Sequence, residues 1–273
     1  VINANPFANA SNTLTIRPAS SVVASITGSS ATSLITLNAA DYVTIDGSNS
    51  GGTDRSLTIN NTNTGTSSAV VWLATNGSNG ATNNTIKNCN ITGNASTTTL
   101  FGIGSGGSAI GLTSVGTGNN NNSYINNNIS AAQHGIYSQG ASAANKNTGT
   151  VINENVMTTA SPNNIRNIGI VVAYENNITI SKNNISNIAA ASSTDGFGIA
   201  LGSNGVSTST FTGNEVTNAT VTKNIIGNVR PASTYSAAGI YYPSTTNTGT
   251  SLIANNMIYD VQSNGTFGDF GSG

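Results

Sequence analysis

The sequence predicts an all-β fold, a parallel β-helix (β-solenoid) with irregular loop insertions and essentially no helix. Three observations predict it. An apolar–x–x–Asn–x–apolar figure recurs along the chain, a Gly-Ile figure alternates with it, and the composition is poor in charge yet rich in Val, Ile and Thr. Such self-similarity marks stacked repeats that cannot bury their apolar residues singly.

The first figure is clearest where Ile180 precedes Asn183 and Ile185. It recurs as Ile152–Asn155–Met157, Phe211–Asn214–Val216, Val221–Asn224–Ile226 and Ile253–Asn256–Ile258. Ile125–Asn128 ends on Ser130, and Ile86–Ile91 carries Cys89 in the middle place. From Asn128 the successive spacings are 27 residues to Asn155, 28 to Asn183 and 31 to Asn214. Asn224 then follows after 10 and Asn256 after 32, which leaves the register around Asn214 to Asn224 open. If each coil stacks on the last at roughly 4.8 Å, a buried Asn at a bend can bond the Asn above and below it. A structural ladder is therefore expected at Cys89, Asn128, Asn155, Asn183, Asn214, Asn224 and Asn256.

The second figure comprises Gly135-Ile136-Tyr137, Gly169-Ile170-Val171, Gly198-Ile199-Ala200 and Gly239-Ile240-Tyr241. Side chains alternate across a strand. With the Ile residues inward, Tyr137, Val171, Ala200 and Tyr241 point outward on one face. Tyr137 and Tyr241 are thus the candidate ligand-binding residues, since aromatic rings can stack on sugars or on another protein.

Composition supports order without ordinary globularity. Hydrophobic residues make up 36% and charged residues 6%, against roughly 45–50% and 25% in typical domains. Disorder normally accompanies high net charge, and here the net charge is −1. That balance, without a basic cluster, argues against nucleic-acid binding. No apolar run approaches the roughly 20 residues that span a bilayer.

Along the chain, strands are expected at Leu14–Ile16, Val22–Ile26, Leu34–Leu37, Tyr42–Ile45, Leu57–Ile59 and Val70–Leu73, separated by Gly, Asn, Ser and Asp turns. Pro18 suits a bend, having no N–H for a ladder. Residues 95–122 read as protruding loops around short strands at Leu100–Ile103 and Ala109–Leu112. Residues 138–150 and 243–251 read as further loops. No composition shift marks a boundary, so residues 1–273 form one β-helix domain, expected to be a segment of a longer protein or a mature chain.

The run from Leu34 to Leu73, the NNTIKNCNI stretch after it and the later Gly-Ile and Asn figures resemble one family. It is that of the secreted right-handed parallel β-helix (pectate-lyase-like) surface proteins of Bacteroidota, commonly exported by the type IX system. The resemblance implies right-handed coiling, an extracellular or cell-surface location, and a scaffold, adhesin or fibre component without a defined reaction.

Candidate chemistry is sparse. Glycoside hydrolysis needs two carboxyls flanking the scissile bond. The three glutamates, Glu154, Glu175 and Glu215, lie in separate turns. His134-Gly135 is similar to the His-Gly step of polygalacturonases, whose paired Asp motif and partner basic motif are missing. The Asp46–Asp54 loop alternates oxygen ligands as calcium loops do, but Leu57 stands where a bidentate Glu is needed. It reads better as an Asp-bonded turn. One His and one Cys exclude a single-chain zinc site. Cys89 reads as a small buried residue, and Thr positions such as Thr97–Thr99 do not repeat as an ice-binding array would.

No catalytic residue, metal or cofactor is therefore expected. The expected function is a non-catalytic structural or adhesive solenoid, with a carbohydrate-binding or polysaccharide-degrading β-helix as the alternative. Neither end supplies a clear polar cap. Uncapped strand edges recruit further strands, so end-to-end self-association or continuation into further chain is expected, with surface glycans as a further candidate partner.

Overall fold

The computed structural model describes residues 1–190, 194–203, 215–232, 236–243 and 249–263. Within them the chain winds through three eight-stranded sheets, all of whose strands pair in parallel. Sheet I contains Ile2–Asn3, Ser33–Asn38, Ala69–Ala74, Phe101–Gly106, Ala132–Gln139, Ile165–Ala173, Gly196–Leu201 and Ala237–Tyr241. Sheet II runs from Leu14–Ile16 through Val43–Asp46, Thr85–Lys87, Ser123–Ile125, Val151–Asn153, Thr179–Ser181 and Thr220–Thr222 to Leu252–Ala254. Sheet III runs from Ala24–Gly28 through Leu57–Asn61, Cys89–Thr92, Asn128–Ser130, Val156–Met157, Asn184–Ile188 and Ile225–Val229 to Met257–Val261. Each coil visits I, II and III in turn, so the strand order in every sheet follows the chain. Among the described residues there is no helix, and hence none long and apolar enough to cross a membrane.

The interior is a set of aligned apolar columns. Ile45, Ile86, Tyr124, Ile152, Ile180 and Val221 stack in sheet II, all with no exposed surface. Ile59, Ile91, Ile129, Ile185 and Ile226 do the same in sheet III. Sheet I contributes Ile103 and, from the Gly-Ile figure, the inward Ile136, Ile170 and Ile199, with Ile240 partly buried beyond them.

The glycine of that figure also has a packing cause. A Cβ on Gly198 would lie 2.3 Å from Cγ2 of Ile226 and 2.6 Å from the carbonyl oxygen of Gly239. One on Gly169 would meet Ile185 and Gly198 at 2.6 Å each. Sheet I thus approaches the isoleucine column of sheet III so closely that a side chain is excluded. Overpacking a close-fitted core costs about 1–3 kcal/mol. Gly198→Ala is expected to lower the unfolding free energy read from urea titration by that margin, and an unchanged value would show that the two sheets can separate.

Segment 109–112 is not a strand. Ile110 and Leu112 instead pack on a second apolar cluster on the outer face of sheet I, built around Trp72, Phe101 and Tyr137. Sheet I is therefore apolar on both faces, which explains its run of fully buried strands.

Candidate functional site

The bend from sheet II to sheet III is the most repetitive part of the molecule. Its outer residue takes a left-handed conformation in Asn88 (φ 57°), Asn126, Glu154, Lys182, Lys223 and Asn255. The next residue turns inward at a point where no strand continues, and its backbone N–H needs an acceptor. Asn supplies one from its side chain. In Asn127, Asn155, Asn183 and Asn224 both the backbone N–H and the side-chain Nδ2 donate to Oδ1 of the Asn one coil further on, at 2.9–3.1 Å. Each Nδ2 also donates to a sheet II carbonyl of the preceding coil, as from Asn155 to Tyr124 and from Asn183 to Ile152. The last rung among the described residues is Asn256, which is half-buried.

Two sequence assignments change. The rung is Asn127, not Asn128, and its figure is Tyr124–Asn127–Ile129. Asn128 is the next, outward residue and makes a 3.3 Å side-chain bond to Asn90. Asn183 bonds Asn224 directly, 41 residues on, while Asn214 lies outside the described residues. Cys89 occupies the rung before Asn127: it is fully buried, and its N–H donates to Oδ1 of Asn127 at 3.1 Å. Burial pushes its thiol up to about 12, which makes it inert at neutral pH. Asn127→Ala strands buried donors and is expected to cost about 2–4 kcal/mol, while Asn128→Ala costs under about 1. Matched urea titrations check the pair, and a reversed order would move the rung back to Asn128.

Further polar columns lie at the bend from sheet I to sheet II. Asn84 donates from N and Nδ2 to Oδ1 of Asn122. Deeper in, Asn119 donates its N–H to Oδ1 of Asn147 at 3.1 Å, and Asn147 sits beside Glu175. Glu175 has no exposed surface. Its carboxyl accepts from Ser138 Oγ at 2.6 Å and Thr150 Oγ1 at 3.0 Å, and burial pushes it up to about 7. The hydroxyl of Tyr124 is buried nearby and pushed upward by burial and by the charge of Glu175.

The outward column of sheet I does align Tyr137 with Val171, Ala200 and Tyr241. It is not an open platform at Tyr137. The tyrosine is 1% exposed, stacked on Phe101 with ring centroids 4.6 Å apart, and its hydroxyl donates to the carbonyl of Ser114 at 3.1 Å. The segment after Gly106 folds over the ring and removes it from solvent. Tyr241 remains partly exposed and stacks on Phe197 at 4.8 Å. Trp72 completes the covered cluster, and its indole N–H donates to Gly107.

The remaining carboxylates are engaged, whereas both ring nitrogens of His134 are buried without a hydrogen-bond partner. Asp54 accepts from the hydroxyls of Ser48, Ser50 and Ser56 and from the N–H of Asn49, which together hold its carboxyl well below the usual range. Asp46 accepts from Asn88 and Ser48 and pairs with Lys87 at 3.2 Å. Glu154 pairs with Lys182 at 2.9 Å and Glu215 with Lys146 at 2.7 Å. His134 is fully buried against Phe101, and desolvation lowers it to about 3. Among the described residues no three His, Cys, Asp or Glu side chains group as metal ligands would.

The columns also reach the last described strands. Ile253 and Ile258 continue the columns of Val221 and Ile226, which are fully buried, yet are 42% and 44% exposed. Comparison with protein-family models, with curated proteins and with solved structures returns no match.

Proposed function

We propose that the chain is a non-catalytic structural or adhesive β-solenoid, wound right-handed and working outside the cell as part of a surface fibre. One observation carries this reading. Every acidic side chain among the described residues has a structural partner: Asp41 with Thr82, Asp46 with Asn88, Asp54 with its serines, Glu154 and Glu215 with lysines, Glu175 with hydroxyls, Asp195 with the Ser236 N–H, and Asp260 with Arg230. These carboxyls brace turns, as Asp54 does, or join one coil to the next, as Asp46 and Glu154 do. Right-handed winding is the near-universal choice for parallel strands joined by crossovers. The extracellular placement rests on the resemblance of Leu34–Leu73 to secreted surface solenoids.

The purified chain is expected to release no reducing sugar from acidic or neutral polysaccharides. Turnover that disappears when an Asp or Glu is substituted would overturn the reading.

A carbohydrate-binding role is favoured by one feature. A cleft of about 340 Å³ on the outer face of sheet I is lined by hydroxyls of Thr32, Ser33, Thr36, Ser67 and Ser108 and by Ile110, over Trp72, which is itself 1% exposed. A row of hydroxyls beside an apolar wall suits a neutral sugar. Trp72 is the sole tryptophan of the chain, so its fluorescence in an oligosaccharide titration reports binding there directly.

A further inference from the structure

Six successive coils repeat a polar pair on the outer face of sheet III. One column runs through Thr27, Asn60, Thr92, Ser130, Thr158 and Ser186, one residue to a coil. Its companion lies two residues earlier in each coil and reads Ser, Thr, Asn, Asn, Val and Asn, from Ser25 to Asn184. The residue between each pair points inward, as the fully buried Ile59, Ile91, Ile129 and Ile185 do, so both columns point outward. All twelve side chains are partly or fully exposed. Eleven carry a hydroxyl or an amide, Val156 being the exception, and none is charged or aromatic. Sequence spacing conceals the array, because successive members of the first column stand 28 to 38 residues apart. Thr97–Thr99, adjacent in the sequence, lie between strands and take no part in it.

The columns form a grid with steps of about 4.8 Å between coils and about 6.6 Å between alternate residues of one strand. Neighbours hold the side chains in place. Asn128 Nδ2 donates to Asn90 Oδ1 at 3.3 Å, the hydroxyls of Thr92 and Ser130 lie 3.5 Å apart, and Asn90 Nδ2 donates to the Arg55 carbonyl at 2.9 Å. Fixed hydroxyls and amides order the waters they bond, and here those waters inherit the repeat of the grid. That repeat is close to the spacing of oxygen rows on a face of ordinary ice. The grid is also neutral, as the ice lattice is. The outer face of sheet II has its own hydroxyl column through Thr44, Thr85 and Ser123, but the Asp46–Lys87 ion pair interrupts the column beside it. A single glycan chain fits the grid less well: it repeats in one dimension, and aromatic faces of the kind that stack on sugars are missing from the twelve positions.

We propose that the outer face of sheet III binds ice, its two columns ordering a layer of water that joins the lattice of a crystal surface. The six coils from Ser25 to Ser186 supply the contact, and Ile225 and Gly227 end it in the next coil. The proposal stands on the geometry and neutrality of this face, and holds whether or not the chain belongs to a surface fibre.

The test is nanolitre osmometry on the full chain, which is expected to hold the freezing point below the melting point and to facet the ice crystal. Thr92→Tyr and Ser130→Tyr each set a bulky ring in the middle of the grid and are expected to abolish that gap. Aromatic residues suit strand faces, so both variants are expected to keep the wild-type circular dichroism, and either one alone suffices. Thr179→Tyr, which sets the same ring on the outer face of sheet II, is expected to retain the gap. Fluorescein-labelled chain is expected to enter a slowly grown ice hemisphere and to stay off microcrystalline cellulose. The proposal is overturned by a folded wild type with no gap, by a gap that survives both sheet III variants, or by one that Thr179→Tyr abolishes equally. Adsorption to cellulose that Thr92→Tyr removes would make the face a glycan site and also overturns it.

Discussion

Replacing Asn183 by Ala is expected to lower the stability of the chain by about 3–5 kcal/mol, the sum of several stranded groups in a site closed to water. Asn155 loses the acceptor for its N–H and for Nδ2, each at 3.0 Å. The Ile152 carbonyl loses its donor, also at 3.0 Å. Both asparagines are fully buried, so water cannot replace the missing partners without opening the corner. Urea unfolding followed by circular dichroism reads the change. A loss below about 1 kcal/mol would mean that the corner admits water, and the ladder would then be decoration on a core held by its isoleucines.

Glu175→Gln is expected to raise stability by about 3 kcal/mol at pH 8 and to change little at pH 4. The sign follows from the folded-state value of about 7 against an ordinary 4.5. A carboxyl raised by burial binds its proton more tightly in the folded chain. Its stabilising contribution is complete below about 4.5, declines as pH rises, and is lost above about 7. Glutamine keeps an oxygen acceptor for Ser138 and turns its Nε2–H to the Thr150 hydroxyl, which can accept, without the charge. His134 acts oppositely in part of the same window, because burial lowers it from 6.5 to about 3 and so removes stability on acidification. The wild-type profile mixes the two, and only the difference between wild type and the Gln variant isolates Glu175. A difference that does not vary between pH 4 and 8 would show that the carboxyl is hydrated.

The bend between sheets II and III was readable in the sequence because its spacing is set by strand alternation plus one left-handed residue. Ile180 points in, Ser181 out, Lys182 turns the corner, and Asn183 and Ile185 point in. The slip to Asn128 arose where Asn126, Asn127 and Asn128 are consecutive. The inward residue that fixes the frame there is Tyr124, whose aromatic ring does not match the Ile and Val of the other figures. Within Asn119–Asn122 the inward pair, Asn119 and Asn122, differs from the other two only in facing, which composition does not report. Glu175 had one usable signal: Asn119, Asn147 and Glu175 are 28 residues apart, as are Asn127, Asn155 and Asn183. The burial of Tyr137 had none, since the cover over its ring comes from the preceding coil.

Successive rungs from Cys89 to Asn256 are separated by 38, 28, 28, 41 and 32 residues, yet each step advances the structure by one coil. The variation falls in the passages from III to I and from I to II, while the II-to-III bend from Asn127 onward keeps one length. Contour length is therefore uncoupled from axial rise. Insertions and deletions at the variable passages leave every rung in register, and lengthening such a loop costs only about 0.6 kcal/mol per doubling. The II-to-III edge of the prism is closed to indels while the connecting segments elsewhere are open to them, so foreign peptides grafted within residues 142–145, outside the buried Ser138, Asn147 and Thr150, would be carried on a rigid core that does not register their length.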